Sequence, residues 1–250
     1  DKAGTGTMTD WFRLWSVGNG SGPVLGLLLL LVYGLPGMIS ECWGGPVRLE
    51  YQLVRVKGPE QLVLTKYRRD RYPLFSSSYR NWGTLKTGGK QVQFGKLVPA
   101  LGVVDGRVVV AEHPSEARRW YRRATFWLAA GPVLVRRGEP VRFGEIHHQY
   151  PHLNIDGRTA RVVLLVWPDH TIGFLFHPSC SLREMQQVAV RLKATTALNL
   201  DGGSCTVWQT IPPRCWIGRD IMEGRSWCIG LRAPSPRPAP VSIWYQEKTH

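Results

Sequence analysis

The residues best suited to carry out chemistry form the tetrapeptide Asp-Gly-Gly-Ser at 201–204. An apolar run at 197–200 precedes it and a second run at 205–208 follows, which predicts a strand, a sharp turn and another strand. Two adjacent glycines let the backbone approach a ligand closely, and their N–H groups can bind an anion. The Asp201 carboxylate would stand beside that anion, with the Ser204 hydroxyl as a further donor. In isolation, Asp-Gly more often forms a plain hairpin turn.

The segment before this turn predicts the elements that position it. Ser181 and Glu184 have the spacing of a capping box, and apolar residues then recur at helical spacing over about 182–194. Upstream, two β-branched runs at 161–167 and 171–176 predict a hairpin. The expected order is therefore hairpin, helix, strand, Asp-Gly-Gly-Ser turn and strand.

The run from Ala197 to Cys205 resembles the signature of the phosphodiester glycosidase family, in which a helix precedes Ala-Leu-Asn-Leu-Asp-Gly-Gly-Gly-Ser. The resemblance extends over about Val92 to Tyr245. Four further segments resemble family motifs in the same order: 102–108, 130–138, the Arg-Thr-Ala at 158–160, and 237–242.

This resemblance implies a hydrolase that cleaves the glycosidic bond between a sugar anomeric carbon and a phosphodiester. An oxocarbenium-like transition state needs a nearby carboxylate, and Asp201 is the candidate. Arg158 is the first choice to clamp the departing phosphate, because a guanidinium binds phosphate in bidentate fashion. A second carboxylate, to activate water, would come from Glu145, Asp156 or Asp105. Glu145 is taken as the catalytic candidate, and Asp105 belongs to a structural Asp-Gly hairpin.

Substrate binding is assigned to the other residues of the same motifs, and no cofactor is expected. No Cys-x-x-Cys or His-x-x-x-His spacing indicates zinc, so no metal ligand is predicted, although a divalent cation could assist the reaction. The predicted substrate-binding residues are Gly202, Gly203, Ser204, Asn199 and Thr159.

A non-catalytic scaffold is the competing hypothesis. The signature has one glycine fewer than the family pattern, Cys205 replaces a second hydroxyl residue, and Arg161 follows Arg-Thr-Ala where a small or apolar residue is usual. A basic binding or assembly subunit would tolerate these changes. Convergence of Arg158 and Asp201 on one open pocket would favour the enzyme. A pocket filled by Trp208 or by an arginine side chain would favour the scaffold.

The charge balance favours anionic partners. Lys and Arg number 32 against 18 Asp and Glu, which gives a formal net charge of +14. A sugar phosphodiester or an anionic cell-surface polymer fits this balance. Two clusters of basic and aromatic residues, 66–72 and 118–123, can bind nucleic acid through phosphate contacts and stacking. The alternative is a solvated helix face with Trp120 and Tyr121 turned inward, and no nucleic-acid motif supports binding. The oligomeric state is not predicted.

Histidines and cysteines give weaker signals. His147, His148 and His152 lie in a predicted loop, where they serve as acid, base or phosphate ligand, or simply lie on the surface. Cys215 and Cys228 flank a glycine-containing loop and are the predicted disulfide among five cysteines.

Two regions are predicted: an N-terminal flexible and hydrophobic segment at 1–45, and a domain at 46–250. The domain is expected to be α+β, with a mixed, mostly antiparallel sheet and few helices, and with 47–56 and 61–67 as one hairpin. The apolar stretch Val24 to Ile39 is interpreted as a signal peptide or anchor, a short transmembrane helix, or a buried core segment. The first two place the domain outside the cytoplasm, secreted or membrane-anchored.

Overall fold

The computed structural model describes residues 47–56, 58–68, 74–78, 83–209, 215–232 and 239–245. These residues all belong to one compact unit, Gly44–His250. The predicted signal or anchor segment, Val24 to Ile39, lies outside the described residues, so its interpretation stays a prediction. Within the described part of the chain, no helix has the length and apolar character needed to cross a membrane.

The described residues form three sheets and three α-helices, which confirms the predicted β-rich α+β class. The strand pairs are antiparallel, and an isolated bridge between Gly83 and Lys96 is parallel. The strands are β1 (Val47–Val56), β2 (Leu62–Lys66), β3 (Leu74–Ser78), β4 (Leu85–Thr87), β5 (Lys90–Gln93), β6 (Ala100–Val104), β7 (Arg107–Ala111), β8 (Ala124–Ala129), β9 (Val133–Arg136), β10 (Glu139–Pro140), β11 (Thr159–Val166), β12 (Ile172–Cys180), β13 (Thr196–Asn199), β14 (Val207–Gln209), β15 (Cys215–Ile217), β16 (Trp227–Leu231) and β17 (Ala239–Tyr245). The helices are α1 (Pro114–Tyr121), α2 (Phe143–Gln149) and α3 (Leu182–Arg191).

The largest sheet has seven strands in the order β10-β9-β13-β11-β12-β1-β17. Its centre is the predicted hairpin of β11 and β12, in which Val162 lies opposite Phe176. Both strands consist largely of buried apolar residues, so the sheet is covered on its two faces here. The other two sheets have five strands each, in the orders β15-β14-β3-β16-β2 and β5-β4-β8-β6-β7.

Helix α3 starts at the predicted capping box. The Ser181 hydroxyl accepts from the Glu184 N–H at 3.2 Å, and the Glu184 carboxylate accepts from the Ser181 N–H at 2.7 Å. The apolar face packs into the core through Leu182, Met185 and other buried residues. The helix ends at Arg191, three residues before the predicted end, because the chain turns here to enter β13.

Three local predictions are corrected. The segment that carries His147 and His148 is the helix α2 rather than an extended loop. The expected hairpin of 47–56 with 61–67 is wrong, since β1 pairs with β12 and β17 while β2 joins another sheet. The predicted Cys215–Cys228 disulfide is wrong as well, since β14 and β3 separate β15 from β16 and Cys228 is a buried free thiol.

The second basic cluster matches the solvated-face interpretation. Tyr121 packs edge-on against Trp127 with ring centroids 5.5 Å apart, and Trp120 packs against the same core cluster. The four arginines of this cluster, two on α1 and two directly after it, are exposed. The first cluster lies only partly within the described residues.

Candidate functional site

A cavity of about 660 Å³ lies where the end of β13 meets the segment after α2 and strands of all three sheets. Its volume falls in the range of small-molecule sites. Polar residues of β11, β13 and the Asp-Gly-Gly-Ser turn form one part of its wall, and apolar residues of β2, β4, β8 and β16 form another. The polar lining residues are Lys96, Gln149, Tyr150, His152, Asn154, Thr159, Arg161, Asn199, Asp201 and Cys205.

The Asp-Gly-Gly-Ser turn connects two sheets and is not a hairpin. β13 ends at Asn199 in the seven-stranded sheet, while β14 pairs with β3 and β15 in another sheet. Between them, Asp201 is exposed at the end of its strand and accepts from the Gly202 N–H at 3.1 Å. Gly203 has φ of +64°, a left-handed conformation that favours glycine. The plain-hairpin alternative is therefore excluded.

Gly202 brings the turn close to β11. A Cβ on this residue would lie 3.0 Å from the Ala160 carbonyl oxygen and 3.5 Å from Cδ of Arg161. The absence of a side chain thus allows the turn to pack beside the arginine, and both residues line the cavity.

Arg161 and Asn199 are the buried polar side chains of this cavity, each only 5% exposed. One Arg161 Nη atom donates to the carbonyl oxygens of Asn154 at 2.7 Å and Gly157 at 3.2 Å. Its Nε and the Asn199 Oδ1 have no hydrogen-bond partner. Burial lowers the pKa of the Arg161 guanidinium, which nevertheless stays protonated at neutral pH.

These two unpaired atoms make Arg161 and Asn199 unusual among the residues that line the cavity. An unsatisfied buried donor or acceptor costs about 1–3 kcal/mol, and most such groups in folded proteins are paired.

Arg158 does not line the cavity, contrary to its predicted role as the phosphate clamp. Its guanidinium donates to the Glu184 carboxylate at 2.7 Å and to the Ser179 carbonyl oxygen at 3.1 Å. Arg161 lies three residues farther on, within β11, and lines the cavity. The structure therefore brings Asp201 together with Arg161 rather than with Arg158.

Glu145 and Ser204 also lie outside the lining residues. Glu145 is exposed on α2 and forms an ion pair with Arg136 at 3.1 Å. The Ser204 hydroxyl donates to the Asp220 carboxylate, and the Ser204 backbone carbonyl oxygen accepts from the Asp220 N–H at 3.0 Å. Its side chain thus holds the loop after β15 against the turn.

Of the remaining predicted site residues, some line the cavity and others lie outside it. Gly202, Gly203, Asn199 and Thr159 line the cavity together with Asp201. The two other candidates for a second carboxylate, Asp156 and Asp105, form ion pairs with Arg183 and Arg123 on the surface.

Sequence reasoning missed Arg161 and Lys96 as cavity residues. The signal for Arg161 was present, because it interrupts an apolar run that otherwise reads as a buried strand. His152 lines the cavity, whereas the exposed His147 and His148 on α2 do not.

Cys205 lines the cavity but is poorly suited to act as a nucleophile. Burial and the nearby carboxylates of Asp201 and Asp220 raise the pKa of its thiol to about 11. The thiol therefore stays protonated at neutral pH, and the thiolate is the reactive form. Within the described ranges, no group of three or more His, Cys, Asp or Glu side chains is arranged to hold a metal ion.

Comparison with known proteins agrees with this α+β fold. A family model of phosphodiester glycosidases matches residues 74–218, more than half of the chain. The chain belongs to the phosphodiester glycosidase family. No curated protein sequence matches it.

Solved structures that match this chain include two proteins. One is the catalytic domain of zebrafish N-acetylglucosamine-1-phosphodiester alpha-N-acetylglucosaminidase, auto-inhibited by its pro-peptide, with 14% identity and a TM-score of 0.53 over 73% of each chain. The other is a hypothetical protein from Synechocystis, with 17% identity and a TM-score of 0.37 over 75% of this chain and 42% of that one. At this identity, the zebrafish likeness establishes the fold alone.

Proposed function

We propose that this chain hydrolyses the glycosidic bond of a sugar-1-phosphodiester. Support comes from its membership of a hydrolase family. The observation that carries the proposal is that one cavity is lined by both Asp201 and Arg161, a buried arginine whose Nε has no hydrogen-bond partner. In the reaction, the bond between C1 of the sugar and the phosphate oxygen breaks. The oxygen of water bonds to C1, its surplus proton passes to solvent, and a phosphate monoester leaves.

Two residues of the cavity match the charges of this reaction. Asp201 would stabilise the positive charge that develops at C1, as carboxylates do in glycosidases. Arg161 would bind the phosphate oxygens, because a guanidinium is a preferred partner of phosphate. The phosphate monoester leaves as an anion, so binding by a cation matters more here than protonation by a strong acid.

Other cavity residues would complete the site. The Gly203 N–H is a candidate for a phosphate contact, and Asn199 and Thr159 are candidates for contacts to sugar hydroxyls. Gly202 contributes by leaving room for the turn, because its N–H already donates to Asp201. His152 replaces Glu145 as the candidate that accepts a proton from water, because it lines the cavity and a neutral imidazole is a base.

The competing function, a non-catalytic binding scaffold, has its own support. Asp201 is the sole carboxylate among the described lining residues, whereas most glycosidases use two. Against it, the cavity is open, and Trp208 is stacked on Phe176 with centroids 4.9 Å apart instead of filling the cavity. Arg161 lies in the wall and leaves about 660 Å³ free.

The test is sugar release from a panel of sugar-1-phosphodiesters, comparing the unmodified chain with Asp201→Asn, Arg161→Lys and Arg158→Lys. We expect Asp201→Asn to lower kcat/KM by about 100-fold or more, in the range known for loss of one electrostatic contact to the transition state. Arg161→Lys keeps the charge but loses the bidentate geometry, so it should lower kcat/KM by roughly tenfold or more.

Arg158→Lys is the matched control, since it makes the same change outside the cavity. Its kcat/KM should stay within about twofold of the unmodified chain, since most surface changes cost little. No sugar release from any diester, or sugar release that does not depend on Asp201, would contradict the proposed hydrolase and favour the non-catalytic scaffold.

We further propose an extracytoplasmic location, secreted or membrane-anchored, on the basis of the apolar stretch Val24 to Ile39. Fractionation of cells that express the full chain tests this. Recovery of the chain only from the cytoplasm would contradict it.

A further inference from the structure

One part of the cavity wall is made of two cross-strand apolar pairs. Leu64 of β2 lies opposite Ile229 of β16, and Leu85 of β4 lies opposite Leu128 of β8. Residues directly opposite each other on antiparallel strands point to the same face of their sheet, and all four line the cavity. Each pair therefore presents adjoining aliphatic side chains to the cavity, and the two pairs come from different sheets.

Trp227 extends this wall, which we call the apolar wall. It precedes Ile229 by two residues on β16, so the two side chains share a face, and both line the cavity. The ammonium group of Lys66 lies 4.2 Å from the centroid of the Trp227 ring and donates to the Arg225 carbonyl oxygen at 2.8 Å. The ring is thus held from one side by Lys66.

We propose that the apolar wall binds the alcohol part of the substrate, and that this part is an alkyl chain. The substrate class is then the sugar-1-phosphodiester of an aliphatic alcohol, with the phosphate on Arg161 and the chain along Leu64, Leu85, Leu128 and Ile229. This inference rests on the proposed function and adds the chemical nature of the leaving group.

The chemistry of the wall selects this class over a second sugar. A hydroxyl-rich group placed along Leu64, Leu85, Leu128 and Ile229 would lose its hydrogen bonds to water and find no polar partner on these four aliphatic side chains. Water beside the same side chains is equally poorly bonded, so an alkyl chain that displaces it gains affinity. Each buried methylene should increase affinity by about fourfold.

The test compares methyl, butyl and hexyl diesters of one sugar-1-phosphate with a diester of a second sugar, using the full chain. We expect kcat/KM to rise by at least about tenfold from methyl to hexyl, and the second-sugar diester to be no better than methyl. Leu128→Ala should reduce the hexyl-to-methyl ratio severalfold. Leu164→Ala removes the same atoms from a buried residue outside the cavity and should preserve the ratio. A ratio does not depend on how much of each variant is folded.

Calorimetric titration with methyl phosphate and hexyl phosphate separates this inference from the proposed function. Tighter binding of hexyl phosphate without sugar release from any diester would keep the apolar wall as a ligand site and overturn the hydrolase. Sugar release with no dependence on chain length, or a preference for the second-sugar diester, would keep the hydrolase and overturn the alkyl assignment. Failure of both phosphates to bind, together with no release, would overturn both.

Discussion

Replacing Arg158 with methionine removes one half of an ion pair whose other half is buried. The Glu184 side chain is 7% exposed and accepts hydrogen bonds from Arg158 at 2.7 Å and from the Ser181 N–H at 2.7 Å. The variant leaves this carboxylate beside the helix start without its cation. Because Arg158 lies outside the cavity, we expect the change to lower stability and to leave the kcat/KM for sugar release nearly unaltered.

The size of the loss follows from the burial of the two partners. Breaking a fully buried pair costs about 3–5 kcal/mol, and a fully exposed pair contributes about 0–1 kcal/mol. Arg158 is 50% exposed, so a loss of about 2 kcal/mol in the free energy of unfolding is expected. In a domain of this size, that corresponds to a fall of roughly 4–8 °C in Tm.

The pH dependence identifies the carboxylate as the cause. Burial alone would raise the pKa of Glu184, but the hydrogen bonds from Ser181 and Arg158 outweigh it and the pKa is lowered below 4.5. A carboxylate with a lowered pKa stabilises the fold at pH values above its unfolded pKa, and that contribution is lost as pH falls through the folded pKa. The stability difference between the two proteins should therefore be constant near pH 7 and shrink below about pH 4.5.

Urea unfolding at several pH values measures this difference, with Arg183→Met as the matched control. Arg183 is 49% exposed, as Arg158 is, but its partner Asp156 is 71% exposed. The control should lose no more than about 1 kcal/mol, including its contact with the Phe143 ring. Equal losses in the two variants would refute the burial argument. A large fall in kcat/KM for Arg158→Met at unchanged stability would return Arg158 to a catalytic role.

Three further predictions concern the surroundings of the site. Gly218→Ala would place a Cβ 1.9 Å from the Ser204 carbonyl oxygen, so the free energy of unfolding in urea should fall by about 2 kcal/mol or more. Gly144 has open space around it, so the control Gly144→Ala should leave that free energy unchanged or raise it slightly. Equal behaviour of the two alanine variants would contradict the close contact. Cys205, with its pKa raised to about 11, should resist iodoacetamide at pH 8 in peptide mass mapping, and rapid alkylation would show that its thiol is not so perturbed. Lys86→Met removes the ammonium group that donates to the carbonyl oxygens of Tyr121 and Arg122 at the end of α1. The free energy of unfolding should therefore fall by about 1–2 kcal/mol. An unchanged urea midpoint would refute this capping role.

Elements with local causes could be predicted from the sequence. The start of α3 depends on Ser181 and Glu184, three residues apart, and the β11–β12 hairpin depends on two apolar runs joined by a short turn. In both cases the interacting groups are close along the chain, so the pattern of residue types contains the structural information.

Partners that are distant along the chain could not be predicted in this way. The strand at 47–56 was expected to pair with the next strand, yet β1 pairs with β12 and β17. The sequence shows that a strand has apolar side chains to bury, but many other strands offer a similar surface, and only the packing of the whole core selects among them.

The candidate site shows the same division. The sequence alone determined the family resemblance, the Asp-Gly-Gly-Ser turn and a carboxylate at the end of a strand. Only the tertiary structure decided that Arg161, not Arg158, lines the same cavity as Asp201, and that apolar pairs from two other sheets complete this cavity. The physical reason is that the face to which a side chain points depends on strand register and on the pairing of distant strands, and neither is encoded in the residues next to it.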